Sequence, residues 1–221
     1  MANRSLRTGI IFLLLILFAT GASADQSPTV IITQKTEETP AYSLTLNYPR
    51  VDGLKNSALA AEINSRWTAE IDAFAAGLIA MASEHFADFV DEGWNPFPYD
   101  IQTEVEINTL TDELLSITIY YYQYTGGAHG FTDKRSYNYD LRNGRRLELA
   151  DLFAPGVDYL TFVTRQIKEQ IGESPEYWDF ELIDPNQPFF IRDGQVYVYF
   201  GLYEIAPYVA GFPEFPIVLA E

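Results

Sequence analysis

The segment Thr125-Gly126-Gly127-Ala128-His129-Gly130 is the part of the sequence best suited to chemistry, because three glycines surround one titratable histidine. Glycine permits positive φ and lets another chain approach closely. One interpretation is a loop that presents His129 and backbone N–H groups to a ligand. The other is a tight structural crossover in which His129 donates a hydrogen bond to a neighbouring strand.

A second distinctive segment, Tyr203-Glu204-Ile205-Ala206-Pro207-Tyr208, lies near the C-terminus. Tyrosine joins a large apolar ring to a polar hydroxyl, which suits carbohydrate stacking or a protein interface. A loop packed over a sheet, with its tyrosine hydroxyls bonded to backbone, explains the same residues. We predict a partner-binding site that consists of Gly126, Gly127, His129, Tyr203, Glu204 and Tyr208.

The sequence lacks the usual signatures of catalysis and metal binding. It has no cysteine, only two histidines, no G-x-S-x-G elbow and no phosphate-binding Lys-Ser or Lys-Thr after its glycines. Zinc, nucleotide and nucleophilic sites need those patterns. We therefore predict no enzyme, no catalytic residue, no metal and no cofactor. A hydrolase or a metal site built on His129 with carboxylates such as Asp133 or Glu204 stays open as an alternative.

The charge balance is strongly acidic, with 14 Lys and Arg against 31 Asp and Glu and a formal net charge of −17 at pH 7. Such a field repels phosphate backbones and anionic lipid and attracts cationic partners. It also serves simply to keep a protein soluble, and the sequence does not separate these two roles. Nucleic-acid binding is excluded because the basic stripe that it requires is missing.

The first 24 residues have the pattern of a cleavable secretory signal. Arg4 and Arg7 form a positive start, residues 10–19 are apolar, and Ala22-Ser23-Ala24 matches a cleavage site. A membrane anchor is the alternative, but an apolar run of about ten residues is short for a span, which needs about 20. We expect cleavage after Ala24, no later segment of spanning length, and a periplasmic or secreted protein of unknown oligomeric state.

The remaining sequence predicts an α+β fold with mainly antiparallel sheets, each packed by a helix, in two small subdomains. Short strands are expected at 30–32 and 42–46, with Pro49 closing the second. A helix capped by Asn56 or Ser57 and ending before Gly93 then follows, because its apolar residues fall at spacings of three and four. Those residues are Ile63, Trp67, Ile71, Phe74 and Leu78. On this helix His85 is interpreted as a solvated surface histidine.

Alternating residues predict strands at 101–107 and 114–124, the latter central in its sheet. Asn143-Gly144 predicts a two-residue type I′ hairpin between strands 136–141 and 145–149, and Asp193-Gly194 predicts another hairpin. A helix after Pro155 should end at Gly172. We place the N-terminal domain at 25–125 and the C-terminal domain at 126–221.

Several segments in this order resemble a known group of envelope proteins. They are Tyr48-Pro49 with Ile63-Asn64, then Gly126-Gly127-Ala128-His129-Gly130, Tyr137-Asn138-Tyr139-Asp140, Leu149-Ala150-Asp151-Leu152-Phe153 and Tyr203-Glu204-Ile205-Ala206-Pro207-Tyr208. The chain resembles the two-domain envelope proteins typified by the extracellular region of the RsiV anti-sigma factor. Its N-terminal half resembles the accessory domain of the PdaC peptidoglycan deacetylase.

This resemblance implies a pair of α+β domains whose best-understood member is a receptor for lysozyme. The acidity of the chain suits such a cationic partner. We expect neither anti-sigma activity nor deacetylation, because no sigma-binding segment precedes the apolar stretch and no deacetylase domain follows. The predicted function is an exported cell-envelope protein that binds or senses a cationic protein such as lysozyme, with a peptidoglycan-binding module as the alternative.

Overall fold

The computed structural model describes residues 27–94 and 96–219 and confirms the α+β class. The predicted signal segment, 1–24, lies outside the described residues. Two helices accompany a six-stranded sheet of order β1-β2-β3-β4-β5-β6 and a three-stranded sheet of order β7-β8-β9. The helices and strands are β1 Thr29–Glu38, β2 Tyr42–Asp52, α1 Ser57–Asp91, β3 Tyr99–Leu110, β4 Leu114–Tyr124, β5 Phe131–Asp140, β6 Arg145–Arg146, α2 Tyr159–Ile171, β7 Phe189–Arg192, β8 Gln195–Tyr199 and β9 Glu214–Ile217.

The chain divides into two compact units that are discontinuous in sequence. Unit 1 contains β1, β2, most of α1, the first half of β3, the end of β4 and the loop up to Phe131. Unit 2 contains the rest of β3 and β4 and everything from Thr132 onward. The division of β3 falls after Glu104, where its alternation of buried and exposed residues changes phase.

In unit 1, α1 connects β2 to β3, and these two strands pair in parallel. A parallel pair needs a long crossover, which the helix supplies. The predicted apolar stripe is confirmed, since Ile63, Trp67 and Ile71 are fully buried. The side chain of Asn64 joins the helix to β2 by hydrogen bonds to the backbone N–H and carbonyl of Val51, at 2.8 and 2.9 Å.

The prediction that Pro49 closes the second strand is wrong, because β2 continues to Asp52. Pro49 faces Ile32 of β1, whereas the pairing of β2 with β3 involves only residues 42–45. A proline lacks the N–H that a sheet ladder uses and is therefore tolerated where a neighbouring strand is missing on one side.

By length and composition, α1 is long and apolar enough to cross a membrane, with a mean hydropathy of 1.2 over 18 residues. The prediction that no segment after residue 24 is long enough to span a membrane is therefore wrong. Core helices of soluble domains pass the same test, so this property alone is weak support for a span. Only 17% of that window is buried, which means that part of α1 presents apolar side chains at the surface.

In unit 2, α2 packs against the sheet of β7, β8 and β9. Asp158 caps the helix by accepting a hydrogen bond from the backbone of Thr161, and Gly172 ends it with a positive φ, as predicted. Two short polar side chains tie β4, β5 and β7 together: Ser116 donates to Asn138, and Asn138 donates to the carbonyl of Phe189, both at 2.7 Å. Asn138 of the motif Tyr137-Asn138-Tyr139-Asp140 therefore has a structural role in connecting these strands.

The Asn143-Gly144 hairpin differs from its prediction. Only Gly144 has a positive φ, so the type I′ geometry is wrong. The Asp140 carboxylate instead accepts hydrogen bonds from the backbone N–H groups of Arg142 and Asn143. The strand expected at 145–149 is reduced to Arg145–Arg146, because Leu149 already begins a 3₁₀ turn. By contrast, Asp193 and Gly194 both have positive φ, and their hairpin is confirmed.

A buried charged residue in unit 2 is Lys134, whose side chain is 1% exposed. Its ammonium forms an ion pair with Glu214 and lies 4.2 Å from the ring centroid of Tyr199 and 4.7 Å from that of Phe190. Burial lowers the pKa of Lys134, although the bond to Glu214 opposes this shift. Aromatic faces and a carboxylate replace the lost water around a buried cation.

Candidate functional site

The C-terminal end of α1 forms a Schellman motif that positions two aromatic side chains. Gly93, at a φ of 82°, donates its N–H to Val90, and Trp94 donates its N–H to Phe89 at 2.8 Å. This pair of hydrogen bonds brings the residue after the glycine back against the last turn of the helix. Trp94 and Phe89 consequently border the same cavity, and 67% of Trp94 is exposed.

One face of α1 forms the first wall of this cavity, which lies in unit 1 and has a volume of about 380 Å³. Four helical residues line it: Ala82, His85, Phe86 and Phe89. Their spacings of three, one and three place them on a single side of the helix. We call the cavity the α1-end pocket.

The opposite wall comes from the chain leaving α1 and from the glycine loop between β4 and β5. Phe97 stacks on Tyr124 with ring centroids 5.8 Å apart, and Gly126 lies under the Phe97 ring. A Cβ atom on Gly126 would be 3.2 Å from that ring, and the φ of Gly126 is 112°. Gly126 therefore gives Phe97 its position, and both Gly126 and Gly127 line the pocket.

A polar corner joins the helix to the start of β3. The hydroxyl of Tyr99 and Nδ1 of His85 share a short hydrogen bond, and their rings meet edge to face at 5.9 Å. Burial raises the pKa of the Tyr99 hydroxyl. His85 is exposed, as predicted, but it is bonded to Tyr99 and lines the pocket. Sequence reasoning missed this because Tyr99 is distant in the chain.

Four carboxylates lie close in sequence to the helical residues of the pocket. Glu84 and Asp88 directly precede His85 and Phe89, and Asp91 and Glu92 lie at the end of the helix. Among the described residues, none of these four carboxylates forms an ion pair with a basic side chain. The reason is visible in the sequence: the 67 residues between Arg66 and Lys134 contain twelve Asp and Glu and no Lys or Arg.

His129 lies at the other end of the glycine loop and does not line the pocket. Its Nδ1 hydrogen-bonds the backbone carbonyl of Gly130 at 2.8 Å. Gly130 is buried, and a Cβ atom there would lie 2.4 Å from the ring of Tyr122. The third glycine is thus required by a close contact within unit 1. Whether His129 contacts a partner stays a prediction.

The remaining predicted residues lie in unit 2, on a loop that we call the tyrosine loop, residues 201–211. Ile205 and Ala206 are buried and anchor it, while Tyr203 has a positive φ of 63° and an exposed ring. The rings of Tyr203 and Tyr208 are 5.6 Å apart, and Val209 beside them is 93% exposed.

Glu204 has a local structural contact in this loop. One of its carboxylate oxygens accepts the N–H of Gly201 at 2.6 Å. The N–H of Glu204 also donates to the Gly201 carbonyl at 3.2 Å. The two hydrogen bonds together close the turn that carries Tyr203. A non-glycine residue held at positive φ on the surface is costly and often marks a functional loop.

An acidic segment, residues 173–184, is joined to the tyrosine loop by a hydrogen bond from the Trp178 N–H to the Ile205 carbonyl at 2.7 Å. The segment contains no Lys or Arg and five carboxylates, which belong to Glu173, Glu176, Asp179, Glu181 and Asp184. One of them, Asp179, has an ion pair, with Lys168 at 3.8 Å. Trp178 itself is 47% exposed, so aromatic and acidic groups occur together here.

No group of three or more His, Asp or Glu side chains able to hold a metal ion occurs within residues 27–94 and 96–219. The alternative of a metal site built on His129 with Asp133 or Glu204 therefore has no ligand cluster behind it in this part of the chain.

Two family models match successive parts of the sequence, and this confirms the resemblance inferred from the motifs. The model described as "Deacetylase PdaC" matches residues 35–132. The model described as "Protein of unknown function (DUF3298)" matches residues 150–220. The sequence therefore matches the PdaC model over one segment and the DUF3298 model over the next. A domain boundary at residue 125 stays a prediction.

Two curated relatives come from Bacillus subtilis (strain 168). The chain is 29% identical to "Anti-sigma-V factor RsiV" over 82% of its own length and 64% of that protein. It is 25% identical to "Peptidoglycan-N-acetylmuramic acid deacetylase PdaC" over 48% of its own length and 25% of that protein. The chain thus spans less than two thirds of either relative.

Two crystal structures show the same fold. A DUF3298 family member from Bacteroides fragilis NCTC 9343 superposes with a TM-score of 0.62 at 24% identity, covering 86% of this chain and 89% of the other. A DUF3298 family protein from Pseudomonas aeruginosa PAO1 gives a TM-score of 0.57 at 19% identity, covering 87% and 91%. At these identities the likeness concerns the fold alone.

Proposed function

We propose that this protein is an exported, non-catalytic binding protein of the cell envelope that senses a cationic protein such as lysozyme. The tyrosine loop and the acidic segment of unit 2 form the binding surface. Tyr203 and Tyr208 supply the apolar contact, and the carboxylates of the acidic segment attract the partner.

One observation carries this proposal: exposed aromatic side chains adjoin five carboxylates of which one has an intramolecular ion pair. Aromatic residues are enriched at protein interfaces, and unmatched charge steers an oppositely charged partner toward its docking surface. Four of the five carboxylates have no ion pair within the described residues, so their charge is available to attract a cationic partner.

The relatives add support for a sensing role in the envelope. RsiV is named an anti-sigma factor and PdaC a peptidoglycan deacetylase, and they match 82% and 48% of this chain. Export rests on the signal pattern of residues 1–24. The absence of catalysis is proposed because no site described above pairs a nucleophile with a base.

Calorimetric titration of the purified exported protein with lysozyme at about 150 mM salt tests the proposal, since exposed charges are screened within about 8 Å under those conditions. We expect saturable binding. The pair Tyr203→Ser and Tyr208→Ser should weaken it about tenfold or more, as loss of aromatic anchors does. The reversal Glu176→Lys with Asp179→Lys should slow association and reduce its salt dependence.

The matched control is Glu38→Lys with Glu104→Lys, which changes the net charge equally but on two exposed strand positions of unit 1. Equal effects of the two charge reversals would mean that net charge, rather than this surface, attracts lysozyme. No heat of binding at any salt concentration would rule out the cationic-protein partner.

A further inference from the structure

We propose that the α1-end pocket of unit 1 is a second binding site, which takes an apolar side chain from a cationic peptide segment. The expected ligand is a stretch of extended or helical peptide in which a bulky apolar residue is flanked by Lys or Arg. This site lies in a different unit from the surface of the proposed function and does not depend on it.

The lining of the pocket is the reason for expecting an apolar side chain in the ligand. Its described walls include the exposed rings of Phe89, Trp94 and Phe97. None of the described lining residues is Asp, Glu, Asn, Gln, Lys or Arg. Exposing three large aromatic side chains around one cavity costs hydrophobic free energy, which an inserted apolar group recovers. A volume of about 380 Å³ is within the range of small-ligand sites.

The carboxylates at the end of α1 are the reason for expecting a cationic flank in the ligand. Asp88, Asp91 and Glu92 lie in the last turn of α1 or just beyond it, and the helix has no basic residue in its last turn. The C-terminus of a helix already carries a partial negative charge, so carboxylates there disfavour folding. The same charges favour an approaching Lys or Arg, because the partial charge of the helix end and the carboxylates act together.

Two other occupants fit less well. A fatty acid or an anionic lipid would bring its own negative charge against these carboxylates. A sugar needs several convergent polar side chains for its hydroxyl groups, and the polar corner offers few, since the Tyr99 hydroxyl is already bonded to His85. Charge and lining together therefore favour the cationic peptide.

The test uses the purified exported protein and a short synthetic peptide in which Phe alternates with Lys, with binding followed by fluorescence anisotropy. Trp94→Ala should weaken binding about 10- to 30-fold, the loss typical of a central aromatic anchor. Its matched control is Trp178→Ala, which removes an exposed tryptophan from unit 2 and should leave the affinity unchanged. Trp94 contributes its backbone to the Schellman motif, so its truncation should preserve the fold.

A second pair of variants tests the charge. Neutralising the carboxylates at the end of α1 by Asp88→Asn, Asp91→Asn and Glu92→Gln should weaken binding of the peptide about fivefold or more and reduce the salt dependence of its affinity. The control neutralises Glu173, Glu176 and Asp179 of the acidic segment, which changes the net charge equally. Loss of lysozyme binding in that control, with peptide binding intact, would separate the two sites.

Three outcomes would overturn the inference. The first is equal binding of a peptide with Glu in place of Lys, and the second is equal weakening by Trp94→Ala and Trp178→Ala. The third is Trp94-dependent binding of a soluble N-acetylglucosamine oligomer without binding of the cationic peptide, which would assign the pocket to a glycan. Absence of lysozyme binding would leave this inference standing.

Discussion

At the scale of single residues, the glycines of the loop between β4 and β5 are required by different contacts. Gly126 combines a positive φ with the close approach of Phe97, and Gly130 lies against the ring of Tyr122. The histidine between them bonds to the adjacent backbone. Packing therefore accounts for Gly126 and Gly130, and Gly126 and Gly127 line the α1-end pocket, while partner binding by His129 stays a prediction.

We predict that Gly130→Ala lowers the free energy of unfolding by about 1–3 kcal/mol, the usual result of overpacking, because the new methyl group would overlap Tyr122. Denaturant unfolding measures this difference. Gly77→Ala is the control: it lies in the interior of α1 with nothing within 4 Å of its added Cβ. That substitution should stabilise the protein by about 0.5–1 kcal/mol. A neutral Gly130→Ala would show that Tyr122 moves aside at no cost.

At the scale of elements, α1 has two roles in unit 1, as a core helix and as the wall of a pocket. Its first half buries Ile63, Trp67 and Ile71, whereas its last turns combine exposed apolar side chains with carboxylates. The charges at its C-terminus oppose the helix dipole. Such an arrangement is explained better by binding than by stability.

We predict that Asp91→Lys raises the free energy of unfolding by about 0.3–1 kcal/mol, because a cation replaces an anion at the negative end of the helix dipole. The same substitution should weaken the Lys- and Phe-containing peptide. Glu38→Lys controls for the change in net charge, since it lies on β1 away from any helix end. If both variants stabilise equally, relief of overall repulsion and not the helix dipole is responsible.

At the scale of the whole molecule, tyrosines couple the fold to alkaline pH. Burial raises the pKa of Tyr48, Tyr120 and Tyr199, and hydrogen bonds to Asp72 and Glu106 raise those of the first two further. An unfolded tyrosine ionises near pH 10. The folded state binds more protons above that pH, so the stability from these groups is complete below about pH 10 and is lost as the pH rises toward the folded pKa values.

We therefore predict that part of the tyrosine absorbance change near 295 nm appears only when the protein unfolds at alkaline pH. Tyr120→Phe should raise the pH midpoint of alkaline unfolding, because it removes a group whose ionisation favours the unfolded chain. Tyr203→Phe is the control at an exposed ring. Lys134 acts in the opposite sense, since its lowered pKa makes stability rise with pH toward 10.5. A midpoint unchanged in Tyr120→Phe would contradict this assignment.

The sequence by itself determined the local parts of this protein. Apolar spacing located α1 and its stripe of Ile63, Trp67 and Ile71, Gly172 marked the end of α2, and Asp193-Gly194 marked a hairpin, because each depends on residues a few positions apart. It failed at Pro49 and at Asn143-Gly144. There the outcome depended on which strand lies alongside and on hydrogen bonds from the Asp140 carboxylate.

Tertiary structure alone decided the candidate site. Three contacts form the α1-end pocket. A Schellman motif turns Trp94 back onto Phe89, and the hydroxyl of Tyr99, on the strand paired with β2, hydrogen-bonds to His85. Gly126 leaves room for the ring of Phe97. The contacts of Tyr99 with His85 and of Phe97 with Gly126 join residues that are separated along the chain, so no periodicity or spacing predicts them. The acidity of this part of the chain was readable in the sequence, but the aromatic cavity at the end of α1 required the fold.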